Sequence, residues 1–196
     1  MLNPFRSGSD PHLLVVGMTG VKLGERFAQI GCAHGGRLGA VAAKVGLSGR
    51  AVAIVPDDGS AARARKGAAD TGVLVDVDIA PSTRLPVEDE GFDLVVIDDT
   101  GGFLGTMGAD DRRATIRETL RILRPGGRLM VIGNAARGGL GASWGQTLTW
   151  ASLTRRPAGP PFDAAPALQI DGFKSVRTLA EREGLVFVEG IKPRNP

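Results

Sequence analysis

The sequence predicts an α/β fold: a doubly wound, mostly parallel sheet between two layers of helices. Two observations support this prediction. Short apolar runs of strand length recur along the chain, and they alternate with segments whose apolar residues follow helical spacing. Several of these runs are almost continuously apolar, as is typical of strands buried on both faces of a parallel sheet. Strand–helix–strand units of this kind are joined by right-handed crossovers.

Six apolar runs are predicted as strands, in chain order: 26–30, 51–55, 73–77, 93–97, 128–133 and 185–190. Between the first two, apolar residues recur at i, i+3, i+4 and i+7, which predicts one buried face of a helix. These residues are Leu38, Val41, Ala42 and Val45. Gly46 follows them and is placed to end that helix.

A second helix is predicted ahead of the fifth strand. Its apolar positions are Ile116, Leu120 and Leu123. The Pro-Gly-Gly sequence at 125–127 is expected to stop this helix and turn the chain. Either Asp110 or Asp111 is expected to cap its start, because carboxylates accept hydrogen bonds from the first free N–H groups of a helix.

Length and composition fit one domain over residues 1–196. The chain is 42% hydrophobic and 23% charged, which is ordinary for a soluble globular protein. A net charge of +3 is too small to indicate a nucleic-acid partner without a clustered basic patch. The one cysteine, Cys32, excludes an internal disulfide and fits a reducing compartment. Without a signal peptide or membrane-length apolar run, we expect a cytoplasmic protein with no membrane partner.

Two regions lie outside the alternating pattern. Residues 1–24 form an N-terminal flank, and residues 136–167 are rich in Gly, Ala and Pro and hold both Trp144 and Trp150. Loops of that length are usually functional or variable in conformation. One interpretation is a connection with a short helix near 147–153 that supplies a core tryptophan. The other is an insert that forms a lid or partner surface beside the ligand.

The turn after the first strand is the first candidate for a ligand site. In an open parallel sheet, ligands bind beyond the carboxyl ends of the strands, where the strand order reverses. Gly31 and Gly35 let the backbone turn tightly and approach a ligand closely. The helix that follows offers free N–H groups and the positive end of its dipole.

Three segments together carry a resemblance to a known family. They are "FAQIGCAHGG" (27–36), "LPVEDEGFDLVVID" (85–98) and "TLRILRPGGRLMVIG" (119–133). The chain resembles class I S-adenosylmethionine-dependent methyltransferases, of the type 11-like group, over roughly residues 20 to 135. The resemblance implies a Rossmann-like fold, S-adenosylmethionine as the cofactor, and methyl transfer to a small-molecule acceptor. The cofactor motifs are degenerate in several positions.

The resemblance places the family's glycine turn, which lies against the methionine part of the cofactor, on Gly31, Cys32, Ala33, His34 and Gly35. Ala33 adds a methyl group where the family has glycine. Gln29 replaces the acid that helps to bind the cofactor's amino group. An amide still accepts a hydrogen bond, but it lacks the stronger, charge-assisted interaction of a carboxylate.

The family's acid after the second strand binds the cofactor's ribose, and here it falls on Val55, followed by Pro56. Valine has no side-chain acceptor for the two hydroxyl groups. Asp57 or Asp58 would take over this role if the turn is longer than usual.

The family's adenine-binding positions match Asp78, which would accept from the adenine amino group, and Ile79, which would stack nearby. The segment that follows them is longer than is usual in the family.

Catalytic candidates are fewer. Asp98 follows the fourth strand, where the family often keeps substrate or catalytic groups, and His34 is the side chain of the turn that titrates near neutrality. A metal-dependent subgroup has an Asp at the first position and an Asp-Asn pair after the fifth strand. Here Asp98 and Asn134 match two of the three ligands and Gly133 replaces the third, so we expect no metal.

The carboxyl-terminal end suggests a shortened sheet. Family members finish with a hairpin whose last strand lies antiparallel to strand five, but only six residues, 191–196, follow the last predicted strand. Either part of 136–167 supplies a strand or the sheet is one strand short. An uncovered strand edge would pair with a second chain, so a homodimer is expected.

Three functions remain open from the sequence. The first is a methyltransferase. The second is an inactive methyltransferase-like domain kept for binding or assembly, and three departures in one pocket favour it: Gln29, Ala33 and Val55. The third is an NAD-dependent oxidoreductase with a GxGxxG variant and a ribose acid about 20 residues later. Its residues would be Gly31, Ala33, Gly36 and either Asp57 or Asp58. The "LRPGG" segment argues against this third possibility.

Overall fold

The computed structural model describes residues 12–135 and 162–194. The strands of the described residues are β1 (Arg26–Ile30), β2 (Arg50–Val55), β3 (Asp76–Ile79), β4 (Phe92–Asp98), β5 (Leu123–Asn134), β6 (Lys174–Arg182) and β7 (Leu185–Ile191). The helices are α1 (Leu13–Thr19), α2 (Gly35–Val45), α3 (Asp58–Thr71), α4 (Ala109–Ile122) and α5 (Ala164–Ile170), with a short 3-10 helix at Asp99–Gly101.

The strands form one seven-stranded sheet in the order β3-β2-β1-β4-β5-β7-β6. The first five strands are mutually parallel, whereas β7 lies antiparallel between β5 and β6. The order reverses at β1, because β2 and β3 lie on one side of it and β4 and β5 on the other. The predicted fold class is therefore confirmed, with one antiparallel hairpin at the β6 edge.

Both faces of the central strands are buried, and successive residues of these strands alternate between two cores. Phe27 and Leu94 pack against α1, α2 and α3, whereas the next residues along, Ala28 and Val95, pack against α4 and α5. This alternation explains why the central strands read as continuous apolar runs: every side chain enters one core or the other. It also decides which polar residues share a face of the sheet.

Helix α2 forms as predicted. It ends at Val45, and Gly46 follows with a φ of 70°. Helix α3 begins after Asp57, whose carboxylate accepts a 2.7 Å hydrogen bond from the Ser60 N–H. The two helices approach closely where Gly35 faces Gly67, because a Cβ on either glycine would collide with backbone atoms of the other helix. The beginning of α2 is thus packed directly on α3.

The limits of α4 differ from the prediction. The helix ends at Ile122, because Leu123 adopts extended backbone and starts β5, so the predicted stop at 125–127 comes too late. The residue before the helix is Gly108, which offers no side-chain cap. Asp110 and Asp111 lie inside the first turn, where their charges favour the positive end of the helix dipole.

The third strand is also displaced from its predicted position, 73–77. It spans Asp76–Ile79, because Gly72 ends α3 in left-handed conformation and the Val73 N–H still bonds to the Ala68 carbonyl of the helix. The apolar residues at the start of the predicted run therefore belong to the connection that leaves α3.

The prediction of a missing hairpin was wrong. Residues 174–182 form β6, and β7, which the sequence predicts as strand six, is its antiparallel partner. The polypeptide turns between them at Glu183 and Gly184, both with positive φ. Strand β6 was missed because its side chains are mostly exposed and polar. The edge of β5 is covered by β7, so the argument for a homodimer from an open edge fails, and dimer formation stays a prediction.

Most of the Gly/Pro-rich segment, 136–161, lies outside the described residues, and so do both tryptophans. The end of this segment, which is predicted over residues 136–167, already belongs to α5 from Ala164. Asp163 caps this helix through the Ala165 N–H. Across residues 12–135 and 162–194, none of the helices combines the length and apolar character needed to cross a membrane.

Candidate ligand-binding site

The candidate site lies where β1 and β4 end, at the edge of the sheet where the strand order reverses. In the parallel register Gln29 of β1 lies opposite Val96 of β4, and Ile30 lies opposite Ile97. Because strand side chains alternate between faces, Gln29, Val96 and Asp98 share the face that carries α1, α2 and α3. Asp98 is therefore one step closer to the open edge than Gln29, on the same face.

Gln29 stabilises the glycine turn through a hydrogen bond to its backbone. It is only 1% exposed, and its Nε2 donates a 3.1 Å hydrogen bond to the carbonyl of Gly31. The Gly31 N–H in turn donates to the Ile54 carbonyl of β2 at 2.9 Å. The φ of 73° at Gly31 is unfavourable for other residues, and the Phe103 ring lies 3.5 Å from where a Cβ would be. The turn is thus fixed by a neutral amide and a glycine.

The remaining residues of the turn join it to α3 and to the loop after β4. The Cys32 carbonyl accepts a 3.0 Å hydrogen bond from Arg63 Nε of α3. A side chain at Gly101 would come within 3.3 Å of the Ala33 Cβ, so the loop after β4 passes directly over the turn. His34 occupies the position before α2 in extended backbone, and its imidazole does not cap the helix.

Asp98 is the centre of a buried polar cluster. Its Oδ1 accepts from the Thr100 hydroxyl at 2.6 Å, from the Thr100 N–H at 3.2 Å and from Arg37 Nη1 at 3.3 Å. Arg37 Nη1 also donates to the Thr100 hydroxyl at 2.7 Å, and Asn134 Nδ2 donates to the Thr100 carbonyl at 2.9 Å. The other carboxylate oxygen, Oδ2, is buried and has no hydrogen-bond partner among residues 12–135 and 162–194.

The neighbouring Asp99 stabilises the loop after β4. Its Oδ1 accepts a 2.5 Å hydrogen bond from the Leu104 N–H, which orders the loop that follows the 3-10 helix. Burial raises the pKa of the Asp99 carboxyl, and the nearby charge of Asp98 adds to that effect. Among the buried carboxylates of this edge in the described residues, Asp98 is therefore the one with a buried oxygen that accepts no hydrogen bond.

Cys32 is an inert, buried thiol in this arrangement. Burial raises its pKa to about 11, with a further contribution from the negative charge of Asp98 and an opposing one from Arg63. The thiolate is the nucleophile in alkylation, so a raised pKa suppresses its reaction at neutral pH.

Alkylation of the native protein by iodoacetamide at pH 8 is expected to be much slower than alkylation of the denatured protein. The ordinary pKa of a free thiol is about 8.5, and the rate for the native protein should keep rising above that pH. Mass spectrometry measures this directly, since Cys32 is the one cysteine of the chain. A rate that levels off between pH 8 and 9 at the speed of the denatured protein would contradict the assigned environment.

The residues predicted to bind ribose lie at the end of β2. Val55 is buried in the core and Pro56 is exposed. The Asp57 carboxylate is engaged as the cap of α3, and the hydrogen bond from the Ser60 N–H lowers its pKa. Its other oxygen, Oδ2, accepts a 3.1 Å hydrogen bond from the Ser60 hydroxyl, and the residue is exposed.

The residues predicted to contact adenine lie on the edge strand β3, next to β2. In the register of these strands Asp78 lies opposite Ile54, and Ile79 lies opposite Val55. Both side chains are exposed, Ile79 to 48%. The structure thus brings the predicted residues of β1, β2 and β3 to the same edge of the sheet.

The two residues that match metal ligands are used otherwise in this arrangement. Asp98 accepts hydrogen bonds from the hydroxyl and the N–H of Thr100. Asn134 donates a hydrogen bond to the Thr100 carbonyl. Within the ranges 12–135 and 162–194, the acidic, His and Cys side chains form no cluster of three that would hold a metal ion.

Three residues of the site are not predicted by the sequence: Arg37, Arg63 and Thr100. Each acts through a partner distant in sequence: Arg37 reaches across to the end of β4, and Arg63 reaches the carbonyl of Cys32. A signal for Arg37 was present, because a basic residue in the first turn of a helix opposes the helix dipole and needs an anionic partner. Thr100, directly after the Asp-Asp pair, carried no comparable signal.

A separate cleft of about 450 Å³ lies at the opposite edge of the sheet, near the amino end of β2. Gly46, Leu47, Arg50 and Leu74 are among its lining residues. It contains neither the glycine turn nor Asp98. It therefore lacks the helix N-terminus and the buried acceptor that distinguish the candidate site.

The strand order, with β7 antiparallel between β5 and β6, defines the class I methyltransferase fold and differs from the dinucleotide-binding order 3-2-1-4-5-6. Over residues 28–131, more than half of the chain, the sequence matches the family described as "Methyltransferase domain". The chain belongs to this family. The oxidoreductase interpretation of the glycine turn is accordingly set aside.

Similar proteins agree with this assignment. The ubiquinone/menaquinone biosynthesis C-methyltransferase UbiE of Pseudomonas putida is 28% identical over 137 residues, which cover 67% of this chain and 52% of that protein. The chain spans about half the length of the curated relatives it matches. A SAM dependent methyltransferase from Aquifex aeolicus has a TM-score of 0.69 at 17% identity, covering 97% of this chain and 94% of that one. The [4+2]-cyclase SpnF has a TM-score of 0.66 at 20% identity, covering 93% and 79%.

Proposed function

We propose that this domain is an S-adenosylmethionine-dependent methyltransferase that acts on a small-molecule acceptor. The observation that carries the proposal is the juxtaposition of the glycine turn with the unpartnered Oδ2 of Asp98 at the edge where the strand order reverses. Membership of the methyltransferase family supports the same conclusion.

The residues of this edge fit the three parts of the cofactor. We propose that the turn from Gly31 to Gly35 holds the methionine part, since the first N–H groups of α2 suit its carboxylate. Pro56 and Asp57 would lie along the ribose, with the carboxylate of Asp57 reaching a hydroxyl from its capping position. Asp78 would accept from the adenine amino group, and Ile79 would cover a face of the ring.

Bound in this way, the cofactor supplies a methyl group on a positively charged sulfur, which is already electrophilic. The protein's contribution is then mainly positioning of the two reactants, which accounts for a large share of many rate enhancements. A base is required only when the acceptor has to lose a proton. Asp98 and His34 are the candidates for that role, because both adjoin the turn.

The acceptor class is suggested by the relatives alone. The UbiE proteins are described as C-methyltransferases of ubiquinone and menaquinone biosynthesis. Because this chain covers only 52% of their length, we propose no more than that quinol and phenol acceptors be the first classes tested.

Calorimetric titration with S-adenosylhomocysteine, and then with NAD, tests the proposal. We expect binding of the first ligand with a dissociation constant on the order of 1–100 µM, about −8 to −5 kcal/mol, and none of NAD. Acceptors would then be screened with and without Mg²⁺. If millimolar S-adenosylhomocysteine does not bind, the enzyme proposal is overturned, and the alternative of an inactive binding or assembly domain becomes the better one.

A further inference from the structure

The unpartnered oxygen of Asp98 calls for a physical explanation. A carboxylate that is 1% exposed normally has every oxygen paired, because an unsatisfied buried polar atom carries a full desolvation cost. Within the part of the chain that the structure describes, Asp98 Oδ1 accepts three hydrogen bonds, whereas Oδ2 accepts none. An imbalance of this kind within one carboxylate indicates that Oδ2 is reserved for a donor that arrives with a ligand.

The location of this oxygen narrows the choice of donor. Asp98 lies beyond Val96, the residue opposite Gln29, and it shares the face of Gln29. The loop that follows Asp98 passes over the glycine turn, because a side chain at Gly101 would come within 3.3 Å of the Ala33 Cβ, so the end of β4 lies beside the turn. The donor must therefore belong to whatever part of a ligand lies against that turn.

Gln29 does not provide a negative charge at this place. It is neutral, and its Nε2 is engaged with the Gly31 carbonyl at 3.1 Å. Two other carboxylates near the edge are engaged with their own loops, Asp99 with the Leu104 N–H and Asp57 with the Ser60 N–H and hydroxyl. Asp78, at the same edge, is exposed. Asp98 is thus the carboxylate of this edge that has a buried oxygen able to accept a hydrogen bond from a ligand.

We propose that Asp98 binds the α-ammonium group of the cofactor through Oδ2 and so replaces, from β4, the acid that is absent at position 29 of β1. This inference rests on the proposed function. An amino-acid end carries one negative and one positive group. The N–H groups at the start of α2 suit its carboxylate, and a charged acceptor is then needed beside them for its ammonium. Arg37 and Thr100 hold the carboxylate in position by bonding to its other oxygen.

The test compares two ligands that differ at the amino-acid end. S-Adenosylhomocysteine carries the ammonium group, whereas 5′-methylthioadenosine keeps the adenosine and the sulfur but lacks the amino-acid part. Both are titrated by calorimetry into the wild-type protein, Asp98→Asn, and the double variant Gln29→Glu with Asp98→Asn. Asp99→Asn serves as the matched control, because it removes an adjacent buried charge that bonds only within its own loop.

We expect Asp98→Asn to weaken S-adenosylhomocysteine about 10- to 100-fold, the loss of one charge-assisted hydrogen bond, and to leave methylthioadenosine unchanged. The double variant should regain only part of the lost affinity, because it restores a carboxylate on the same face but removes the hydrogen bond from Gln29 Nε2 to the Gly31 carbonyl. Asp99→Asn should change the ratio of the two affinities by less than about twofold. A base acting on the acceptor would predict no loss of S-adenosylhomocysteine affinity at all.

Two results would overturn the inference. If Asp98→Asn binds S-adenosylhomocysteine as well as wild type does, the assignment of Asp98 is wrong while the proposed function stands. If wild type binds neither ligand, both fail together. A crystal structure of wild type with S-adenosylhomocysteine decides the matter independently of any variant's folding: the ammonium nitrogen must lie within hydrogen-bond distance of Asp98 Oδ2, and a nitrogen bound elsewhere refutes the proposal.

Discussion

Replacing Phe187 by alanine is expected to lower the free energy of unfolding by about 3–5 kcal/mol, the usual cost of removing a fully buried aromatic ring. Phe187 lies in β7 with none of its surface exposed, between Ile132 of β5 and Ala180 of β6. Its ring belongs to the core that also holds Phe27 and Leu38 of β1 and α2. The antiparallel strand is therefore part of the main core.

Urea unfolding followed by circular dichroism measures this effect. The matched control is Leu47→Ala, which also truncates a large apolar side chain, but one that is 92% exposed. We expect its free energy of unfolding to change by less than about 0.5 kcal/mol. Should Phe187→Ala behave like Leu47→Ala, the carboxyl-terminal hairpin would not be packed on the sheet as the structure has it.

The parts of the fold that the sequence predicts well are those where burial is complete. Strand β1 has the predicted limits of 26–30, and β2 and β4 differ by one residue at their ends. Every side chain of such a strand enters one of the two cores, so an uninterrupted apolar run is unavoidable. Helix α2 was equally readable, because one face of it is apolar and Gly46 follows directly.

The parts that the sequence predicts poorly are edges and tightly packed helices. Strand β6 is mostly exposed, so its residues carry little of the apolar alternation that identifies a strand. Helix α3 packs through Ala and Gly, which give a weak hydrophobic pattern although Ala61 and Ala64 are fully buried. In both cases the structure depends on contacts with distant parts of the chain.

For the site, the sequence indicates the place but not the connections. The glycine turn, Gln29 and Asp98 are all at the predicted edge, because strand ends alone decide that position. The hydrogen bonds from Gln29 to the Gly31 carbonyl and from Arg37 to Asp98 depend on tertiary packing. No sequence pattern could predict that one carboxylate oxygen, Asp98 Oδ2, lacks a hydrogen-bond partner among the described residues.

Replacing Gly67 by alanine is the second large effect that we expect, and it links stability to ligand binding. Gly67 lies within α3, and a Cβ there would come within 2.6 Å of the Gly35 Cα and also meet that residue's carbonyl group. Backbone atoms cannot rotate away as a flexible side chain would. The strain of overpacking, about 1–3 kcal/mol, should exceed the gain of about 1 kcal/mol from replacing glycine within a helix.

The displacement should also reach the glycine turn. Gly35 is the first residue of α2, and Arg63 of α3 bonds to the Cys32 carbonyl, so separating the helices moves both attachments of the turn. We therefore expect Gly67→Ala to lower the free energy of unfolding by up to about 2 kcal/mol net and to weaken the binding of S-adenosylhomocysteine, although residue 67 is remote from the turn in sequence. Urea unfolding and calorimetry measure the two effects separately.

Gly17→Ala is the control for this prediction, since Gly17 is also helical and a Cβ there would meet nothing within 4 Å. It should leave stability equal or slightly increased and ligand affinity unchanged. If Gly67→Ala is as stable as Gly17→Ala, the close approach of α2 and α3 is wrong. If it is destabilised but binds S-adenosylhomocysteine normally, the turn does not depend on α3 for its shape, and its geometry must then come from the bonds of Gly31 to β1 and β2 alone.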